Sequence, residues 1–192
     1  MTYYSILAGF LNCTKTLIIL SICLCSCASV RGNRPFAYLT DRSKYILLPP
    51  DGIEYPMDMP QQISASYGGR DFLFNAWVQA GEAGFDMTLL NELGATMGEL
   101  SYRDGEVSFS SPVFPKSLKP EYIVADFQLC FYNALLLRQA LEKCGLSFEY
   151  TDVRRRVLQG KNVIIEIEKN LNSVRLVNHL RGYAYTLEGE FQ

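Results

Sequence analysis

Few side chains in this sequence have the types and spacing that catalysis requires. The 192-residue chain contains one histidine, His179, and a lone imidazole argues against a His-rich metal site and most His-based catalysis. Glu166 and Glu168 share one face of a predicted strand and could form a carboxylate pair, although a solvated strand face is the simpler interpretation. The sequence contains no nucleophile elbow, dinucleotide-binding glycine motif or Walker loop. It therefore predicts a protein that is not an enzyme and holds no metal or other cofactor.

Structural roles are more consistent with the remaining charged residues than catalytic roles are. Asp126 lies in an apolar predicted helix, where it could anchor a buried hydrogen bond to an arginine or a tyrosine. Arg154, Arg155 and Arg156 form the only basic run and could contact anionic head groups or an acidic partner. Strand alternation, however, would place Arg155 on the opposite face from its neighbours. The 18 Lys and Arg are balanced by 20 Asp and Glu, so we expect no nucleic-acid partner.

The most specific chemistry is predicted for the thiol of Cys27. The apolar run Leu17–Cys25 follows Lys15 and is too short for a bilayer span of ~20 residues, but it fits the core of a secretory signal. It leads into Leu24-Cys25-Ser26-Cys27, which resembles the bacterial lipobox. The resemblance implies cleavage after Ser26 and acylation of Cys27. An ordinary signal peptide or signal anchor is the alternative.

Lipidation of Cys27 would determine the cellular location of the protein. Two or more acyl chains make anchoring effectively permanent, so residues 1–26 would be a removed signal peptide and Cys27 the membrane anchor. Ala28 follows the anchor. By analogy with enteric-type lipoproteins, the absence of Asp at that position implies export to the outer membrane, with the domain facing the periplasm.

The rest of the chain divides at about residue 60. Five of the eight prolines lie in residues 28–60, which predicts that residues 27–60 are a lipidated, Pro-rich tether whose segment Tyr45–Leu48 could dock on the domain. Residues 61–192 alternate apolar and polar side chains, with turns at Gly68-Gly69 and Asp104-Gly105. A helical insertion at about residues 120–144 interrupts this pattern.

These patterns predict a mainly β (α+β) fold. About ten antiparallel strands exceed what one flat sheet holds easily, so we expect a curled sheet or half-open β-barrel with one or two inserted helices as a lid. If the insertion were one continuous helix, Cys130 and Cys144 would lie ~21 Å apart, which is beyond disulfide reach. A break near Asn133 would relax this limit. Two free thiols are therefore favoured over a disulfide.

The inner face of the predicted sheet is the candidate binding surface. Its side chains are aromatic or aliphatic, and a packed core closed by the helices is the simplest interpretation. The functional alternative is a cavity for acyl chains or another apolar ligand. The candidate ligand-binding residues are Phe72, Phe74, Phe85, Met87, Leu89, Leu100, Tyr102, Phe109, Ile165, Tyr183 and Tyr185.

Several stretches of the chain also match a known family. The matching stretches are Tyr67–Phe74, Leu93-Gly94, Ser101–Gly105, Pro120–Leu129, Leu141 and Gly182–Tyr185. Over roughly residues 44–188 the sequence resembles the proteobacterial outer-membrane lipoproteins grouped as domain of unknown function 3261. Tyr132-Asn133 stands where the family often has Trp-Pro. No catalytic residues carry over from the family, and Cys27 is the only residue that transfers.

The resemblance implies a fold and a functional context. The family is similar to the lipoprotein carriers LolA and LolB, and its members often accompany gene clusters for aryl polyene or related pigments. LolB passes lipoproteins into the membrane through an exposed apolar loop, for which the turn Asn91–Gly94, with Leu93, is a candidate here. We therefore expect a LolB-like outer-membrane lipoprotein that binds or helps localise an acyl, polyene or lipoprotein ligand, received from a LolA-like carrier. The alternative is a non-catalytic scaffold lipoprotein that binds other envelope proteins.

Overall fold

The computed structural model describes residues 34–191 of the chain. The predicted signal peptide and Cys27 lie outside the described residues. The described chain forms twelve strands, two α-helices and a short 3-10 helix at Pro50–Gly52. In chain order the elements are β1 (Phe36–Tyr38), β2 (Lys44–Ile46), β3 (Met57–Tyr67), β4 (Arg70–Gly81), β5 (Gly84–Leu90), β6 (Thr96–Arg103), β7 (Glu106–Ser110), α1 (Pro120–Phe131), α2 (Ala134–Lys143), β8 (Ser147–Tyr150), β9 (Arg154–Gln159), β10 (Asn162–Asn170), β11 (Ser173–Asn178) and β12 (Tyr183–Glu188).

Ten of these strands form one antiparallel sheet in the order β7-β6-β5-β4-β3-β12-β11-β10-β9-β8. The predicted number of strands and their antiparallel pairing are therefore confirmed. The two end strands, β7 and β8, do not pair with each other, so the sheet is not a closed barrel. Every neighbouring pair except β3 and β12 follows directly along the chain.

The predicted turns are present where the sequence places them. Gly68 and Gly69 both have positive φ between β3 and β4, and Asp104 and Gly105 do so between β6 and β7. Two successive residues with positive φ match the twist of the flanking strands, which is why glycine and aspartate dominate such hairpins.

The helical insertion is two helices with a break between them. Pro120 occupies the first turn of α1, where no backbone N–H is needed. The Asn133 side chain caps α2 by accepting hydrogen bonds from the N–H groups of Leu135 and Leu136. The break near Asn133 is therefore confirmed. Cys130 and Cys144 are both free thiols.

The sheet curls around helix α1. Phe127 stacks on Phe85 of β5 with ring centroids 3.8 Å apart, and Asp126 accepts a hydrogen bond from Tyr183 of β12. Arg155 of β9, near the other end of the sheet, donates to the carbonyl oxygen of Leu129 at 3.0 Å. Since strands from both halves of the sheet contact one helix, the concave face encloses α1 and the core lies between them.

Residues 36–54, here called the N-terminal strap, cover the outer side of α1. The side chain of Gln128, which is fully buried, accepts hydrogen bonds from the Tyr45 hydroxyl and the Leu48 N–H and donates to the Leu48 carbonyl. Tyr45 and Leu47 are buried in the core. The expected docking of Tyr45–Leu48 on the domain is therefore confirmed, because α1 is apolar on both sides and needs this cover. Helix α1 thus lies inside the core, between the sheet and the strap, where the sequence suggested a lid.

Strand β3 also begins earlier than predicted, at Met57 instead of Gln61. Proline cannot donate to a sheet ladder, which is why Pro60 suggested a boundary. β12 pairs with β3 only as far as Gln62, so Pro60 lies where β3 has β4 alone as a partner. Because β12 does not reach Pro60, the missing N–H of this proline breaks no hydrogen bond between β3 and β12.

Candidate functional site: an apolar cavity beneath the β3–β4 hairpin

The register of the sheet defines two ends of the molecule. The β3–β4 turn, the β5–β6 loop at residues 91–95 and the β11–β12 turn at residues 179–182 lie at one end. We call this end the hairpin end, because β3 and β4 extend beyond the last paired residue of β5, Leu90, which lies opposite Asn75. The β8–β9 and β10–β11 turns lie at the opposite end.

An apolar cavity of about 420 Å³ opens at the hairpin end, within the volume range of small-molecule sites. It lies between the inner faces of β3, β5 and β12, helix α1 and the loop that precedes α1. Asp126 and Arg181 are the only charged residues among those that line it. The lining residues are Ile63, Ala65, Ser66, Tyr67, Phe74, Met87, Leu89, Phe114, Leu118, Tyr122, Ile123, Asp126, Phe127, Arg181, Tyr183, Ala184, Tyr185 and Leu187.

The structure brings five of the eleven candidate residues to this cavity. They are Phe74, Met87, Leu89, Tyr183 and Tyr185. These side chains come from β4, β5 and β12, which lie within four consecutive positions of the sheet order. The cavity therefore occupies one region of the concave face and does not extend along all of it.

The other six candidates lie elsewhere. Phe85, Leu100, Tyr102 and Ile165 are buried in the packed core, and the Tyr102 hydroxyl donates to the carbonyl of Leu48 in the strap at 2.8 Å. Phe109 packs against Phe114 with ring centroids 6.0 Å apart. Phe72 is 41 % exposed near the hairpin tip and stacks on Phe74 at 6.2 Å. The concave face is thus part core and part cavity, because α1 fills most of it.

Sequence alternation alone missed the residues that come from outside the strands. Phe114 and Leu118 belong to the loop before α1, and Tyr122, Ile123 and Phe127 belong to its first turns. The four-residue spacing of Ile123 and Phe127 marks one helix face, but no sequence signal shows that this face is opposite Met87. For Phe114 and Leu118, the signal in the sequence was that large apolar residues occur in a proline-containing loop, which suggests that they are covered by the fold.

A buried polar network lies in one wall of the cavity. The Tyr183 hydroxyl donates to Oδ2 of Asp126 at 2.7 Å and accepts from Nδ2 of Asn178 at 3.2 Å. Burial raises the pKa of Asp126 to about 7, although the Tyr183 hydrogen bond and the charge of Arg181 act to lower it. The expectation that Asp126 anchors a buried hydrogen bond is confirmed, with tyrosine as the partner.

Arg181 lies at the mouth of the cavity, in the β11–β12 turn. Its guanidinium lies over the ring of Tyr122, with 4.7 Å from Cζ to the ring centroid, and it donates to the Tyr38 carbonyl. Its backbone N–H donates to Oδ1 of Asn178 at 2.9 Å. Within residues 34–191 no carboxylate forms an ion pair with Arg181, so its charge is available to solvent.

Several apolar side chains are exposed at the hairpin end, where the cavity opens. Tyr67 and Phe72 flank the β3–β4 turn, and Leu93, Val113 and Leu180 belong to three other turns or loops at this end. Leu93 is the most exposed of them at 92 %. Its loop is held by Asn91, whose side chain accepts hydrogen bonds from the N–H groups of Leu93 and Ala95. We call these five residues the apolar rim.

A larger and more polar cavity, of about 820 Å³, lies at the opposite end. Arg155 is buried there and donates to the carbonyls of Leu129 and Tyr132 and to Oε2 of Glu54. Lys169 also pairs with Glu54, at 3.3 Å, and burial lowers the pKa of Lys169. Arg155 thus neutralises the end of helix α1. Its buried charge has a structural explanation, so this cavity is the weaker candidate for a ligand site.

The remaining candidate residues do not form a catalytic group. Glu166 is paired with Arg154, and His179 lies 3.8 Å from the same carboxylate, so the hydrogen bond from Arg154 lowers the pKa of Glu166. Glu168 is exposed. Within residues 34–191 no three His, Cys, Asp or Glu side chains are placed to hold a metal ion.

The chain matches a known protein family over most of its sheet-forming residues. A family described as "Protein of unknown function (DUF3261)" matches residues 58–189, which contain the whole ten-stranded sheet except the first residue of β3. The chain belongs to this family. No curated protein matches it. Over the part of the chain that the structure describes, neither helix has the length and apolar character needed to cross a bilayer.

Proposed function

We propose that this DUF3261 protein binds the apolar chain of an acyl or polyene lipid in the cavity at its hairpin end. The observation that carries the proposal is the composition of that cavity, about 420 Å³ lined almost entirely by apolar side chains and open at the apolar rim. Each methylene group that leaves water contributes roughly 0.8 kcal/mol of binding free energy. Burial of a long acyl chain therefore offsets the entropy that the chain loses on binding.

The proposal includes a cellular location and a direction of transfer. A lipobox ending at Cys27 supports a lipid anchor in the outer membrane, with the domain in the periplasm. The curled ten-stranded sheet around one helix supports a LolB-like half-barrel. Such a protein would accept its ligand from a periplasmic LolA-like carrier and place it in the outer membrane, with the apolar rim as the surface that contacts lipid.

The first test fills the cavity without removing any core side chain. Ala65 is a small residue in the cavity lining, so Ala65→Phe should occlude the space between the inner face of β3 and helix α1. Ser64→Phe adds the same ring to the exposed outer face of the same strand and serves as the control. Binding of radiolabelled palmitic acid to the purified full chain should fall at least tenfold for Ala65→Phe and stay unchanged for Ser64→Phe.

The outcome separates the two main candidate functions. Native mass spectrometry of the wild-type chain should show a co-purifying acyl or polyene species, which Ala65→Phe should lack. If the wild type neither carries nor binds any lipid or lipidated peptide, the proposal fails. The scaffold function would then be the better one, and crosslinking in membranes would identify its protein partners.

A further inference from the structure

The mouth of the cavity differs in charge from its interior. The interior is apolar apart from the Asp126 network, whereas the guanidinium of Arg181 lies at the surface, held against Tyr122 and the Tyr38 carbonyl. The Asn178 side chain accepts from the Arg181 backbone N–H and holds the turn that carries this residue. A cation held in place beside an apolar opening is a recognition element for an amphiphile that has a negative head and an apolar tail.

Most hydrogen-bond donors of the Arg181 guanidinium remain available to a head group. A guanidinium has five N–H donors, and the hydrogen bonds of Arg181 to the described residues use only Nη2, toward Tyr38 and the Tyr122 hydroxyl. The contact with the Tyr122 ring orients the guanidinium, and its Nε and Nη1 donate to none of the described residues. Arginine in this state can take a carboxylate or a phosphate through two parallel hydrogen bonds.

The carboxyl group of Asp126 lies farther inside the cavity and could oppose an anion. Two features limit that opposition. Tyr183 holds Oδ2 by a hydrogen bond, and burial raises the pKa of Asp126 to about 7, so the group can take up a proton when a second anion approaches. An anionic head at Arg181, outside the network, is therefore compatible with Asp126.

We infer that the ligand of this cavity is a single-chain anionic amphiphile, whose head group pairs with Arg181 while its chain lies against Phe74, Met87 and Tyr185. This inference rests on the proposed function and names the class of ligand. A cavity of about 420 Å³ is near the lower end of the range for ligand sites, which suits one chain better than two. The anionic head is either a carboxylate, as in a fatty acid, or a phosphate, as in a monoacyl phosphate.

The test compares three probes with the same sixteen-carbon chain on the purified full-length protein by titration calorimetry. They are palmitic acid, hexadecyl phosphate and hexadecanol. One or both anions should bind about tenfold more tightly than hexadecanol, as expected for a charge-assisted hydrogen bond worth about 1.5 kcal/mol or more. Preference between the two anions identifies the head group.

Variants of Arg181 test the head-group contact separately from the chain. Arg181→Gln should weaken binding of the favoured anion about tenfold and leave hexadecanol binding unchanged. Arg175→Gln removes the same charge from the outer face of β11 and should leave all three affinities unchanged. If Arg181→Gln lowers the affinity for hexadecanol as much as for the anions, its effect is on the fold and the inference is overturned.

The possible failures are distinguishable. If all three probes bind the wild type equally, the cavity binds apolar chains but does not select an anion, and only this inference is overturned. If none of the three binds, the proposed function itself fails. If dipalmitoyl phosphatidylglycerol binds more tightly than palmitic acid and hexadecyl phosphate, the single-chain assignment is overturned.

Discussion

The hydroxyl of Tyr183 in strand β12 lies 2.7 Å from Oδ2 of Asp126 in helix α1, and this hydrogen bond joins the sheet to the helix it encloses. The carboxyl group that accepts it is buried within the cavity wall. Burial disfavours the charged form, so the bond connects a neutral phenol to a carboxyl group that titrates near neutral pH.

The first prediction concerns the pH dependence of folding stability. The pKa of Asp126 is raised from 3.8 to about 7 by burial. The folded protein therefore binds the Asp126 proton more tightly than the unfolded chain does. The stability that this proton contributes is complete below the unfolded pKa and is lost as the pH rises through about 7. Between pH 5 and pH 8 the wild type should lose about 2 kcal/mol of unfolding free energy relative to Asp126→Asn, measured by urea denaturation.

The groups that face Asp126 do not complicate this result. Burial raises the pKa of Tyr183 and raises that of Cys130 to about 12, so neither group changes its protonation between pH 5 and pH 8. If the stability difference between the wild type and Asp126→Asn is the same at pH 5 and pH 8, Asp126 does not titrate in this range.

The second prediction concerns the guanidinium at the end of helix α1. The Arg155 side chain is 4 % exposed and pairs with Glu54 at 2.9 Å. Arg155→Met leaves Glu54 and two helix-terminal carbonyls without this partner, so unfolding free energy should fall by about 3 kcal/mol or more. Arg156→Met is the matched control, since that side chain is 37 % exposed and, among residues 34–191, pairs only with Glu149. Its cost should be at most about 1 kcal/mol, and equal melting temperatures for the two variants would contradict the assigned role.

The third prediction concerns Gln61, which is buried on the inner face of β3. Neither polar atom of its side chain has a hydrogen-bond partner among the described residues. Gln61→Leu removes these two buried polar atoms without partners and should raise the unfolding free energy by about 1 to 3 kcal/mol. Gln62→Leu, at the exposed neighbouring position, should change stability by less than about 0.5 kcal/mol. A loss of stability in Gln61→Leu would show that the amide has a partner in solution.

The fourth prediction concerns the apolar rim. If the rim contacts lipid, Leu93→Asp should reduce sedimentation of the protein with phosphatidylglycerol vesicles severalfold, because a charge replaces an inserted apolar side chain. The measurement uses the Cys27→Ser background, which removes the proposed anchor. Leu171→Asp is the control, as Leu171 is 82 % exposed but belongs to the β10–β11 turn at the opposite end. Equal losses in both variants would exclude a specific role for the rim.

The sequence predicts the elements whose signals are local. Alternation located the strands, Gly68-Gly69 located the longest hairpin, and Pro120 located the start of α1. Alternation also placed Arg155 opposite its neighbours, and the structure confirms that it faces inward. Its partners are helix-terminal carbonyls more than twenty residues away, and no local pattern contains that information.

The N-terminal strap shows the limit of such reasoning. Its strands have three residues each, and its prolines suggest an exposed tether. The sequence suggests that Tyr45–Leu48 docks on the domain, and Tyr45 is indeed buried, but no local signal identifies Gln128 of α1 as its hydrogen-bond partner. The position of a residue such as Phe114 in the cavity wall likewise depends on the order of the strands, which hairpin signals do not determine.

The order of the strands has a consequence for folding kinetics. Strands β3–β7 and β8–β12 each form a series of hairpins between sequence neighbours, and within the described sheet the two series are joined by one non-local strand pairing, that of β3 with β12. Local hairpins form early, whereas closing a long loop is slow, so we expect the β3–β12 seam to close late. The cavity lies over this seam, with Ala65 paired to Tyr185 and Ile63 to Leu187. A bound chain would therefore bridge the two series of strands across the seam that we expect to close last, and it should slow unfolding far more than it accelerates folding.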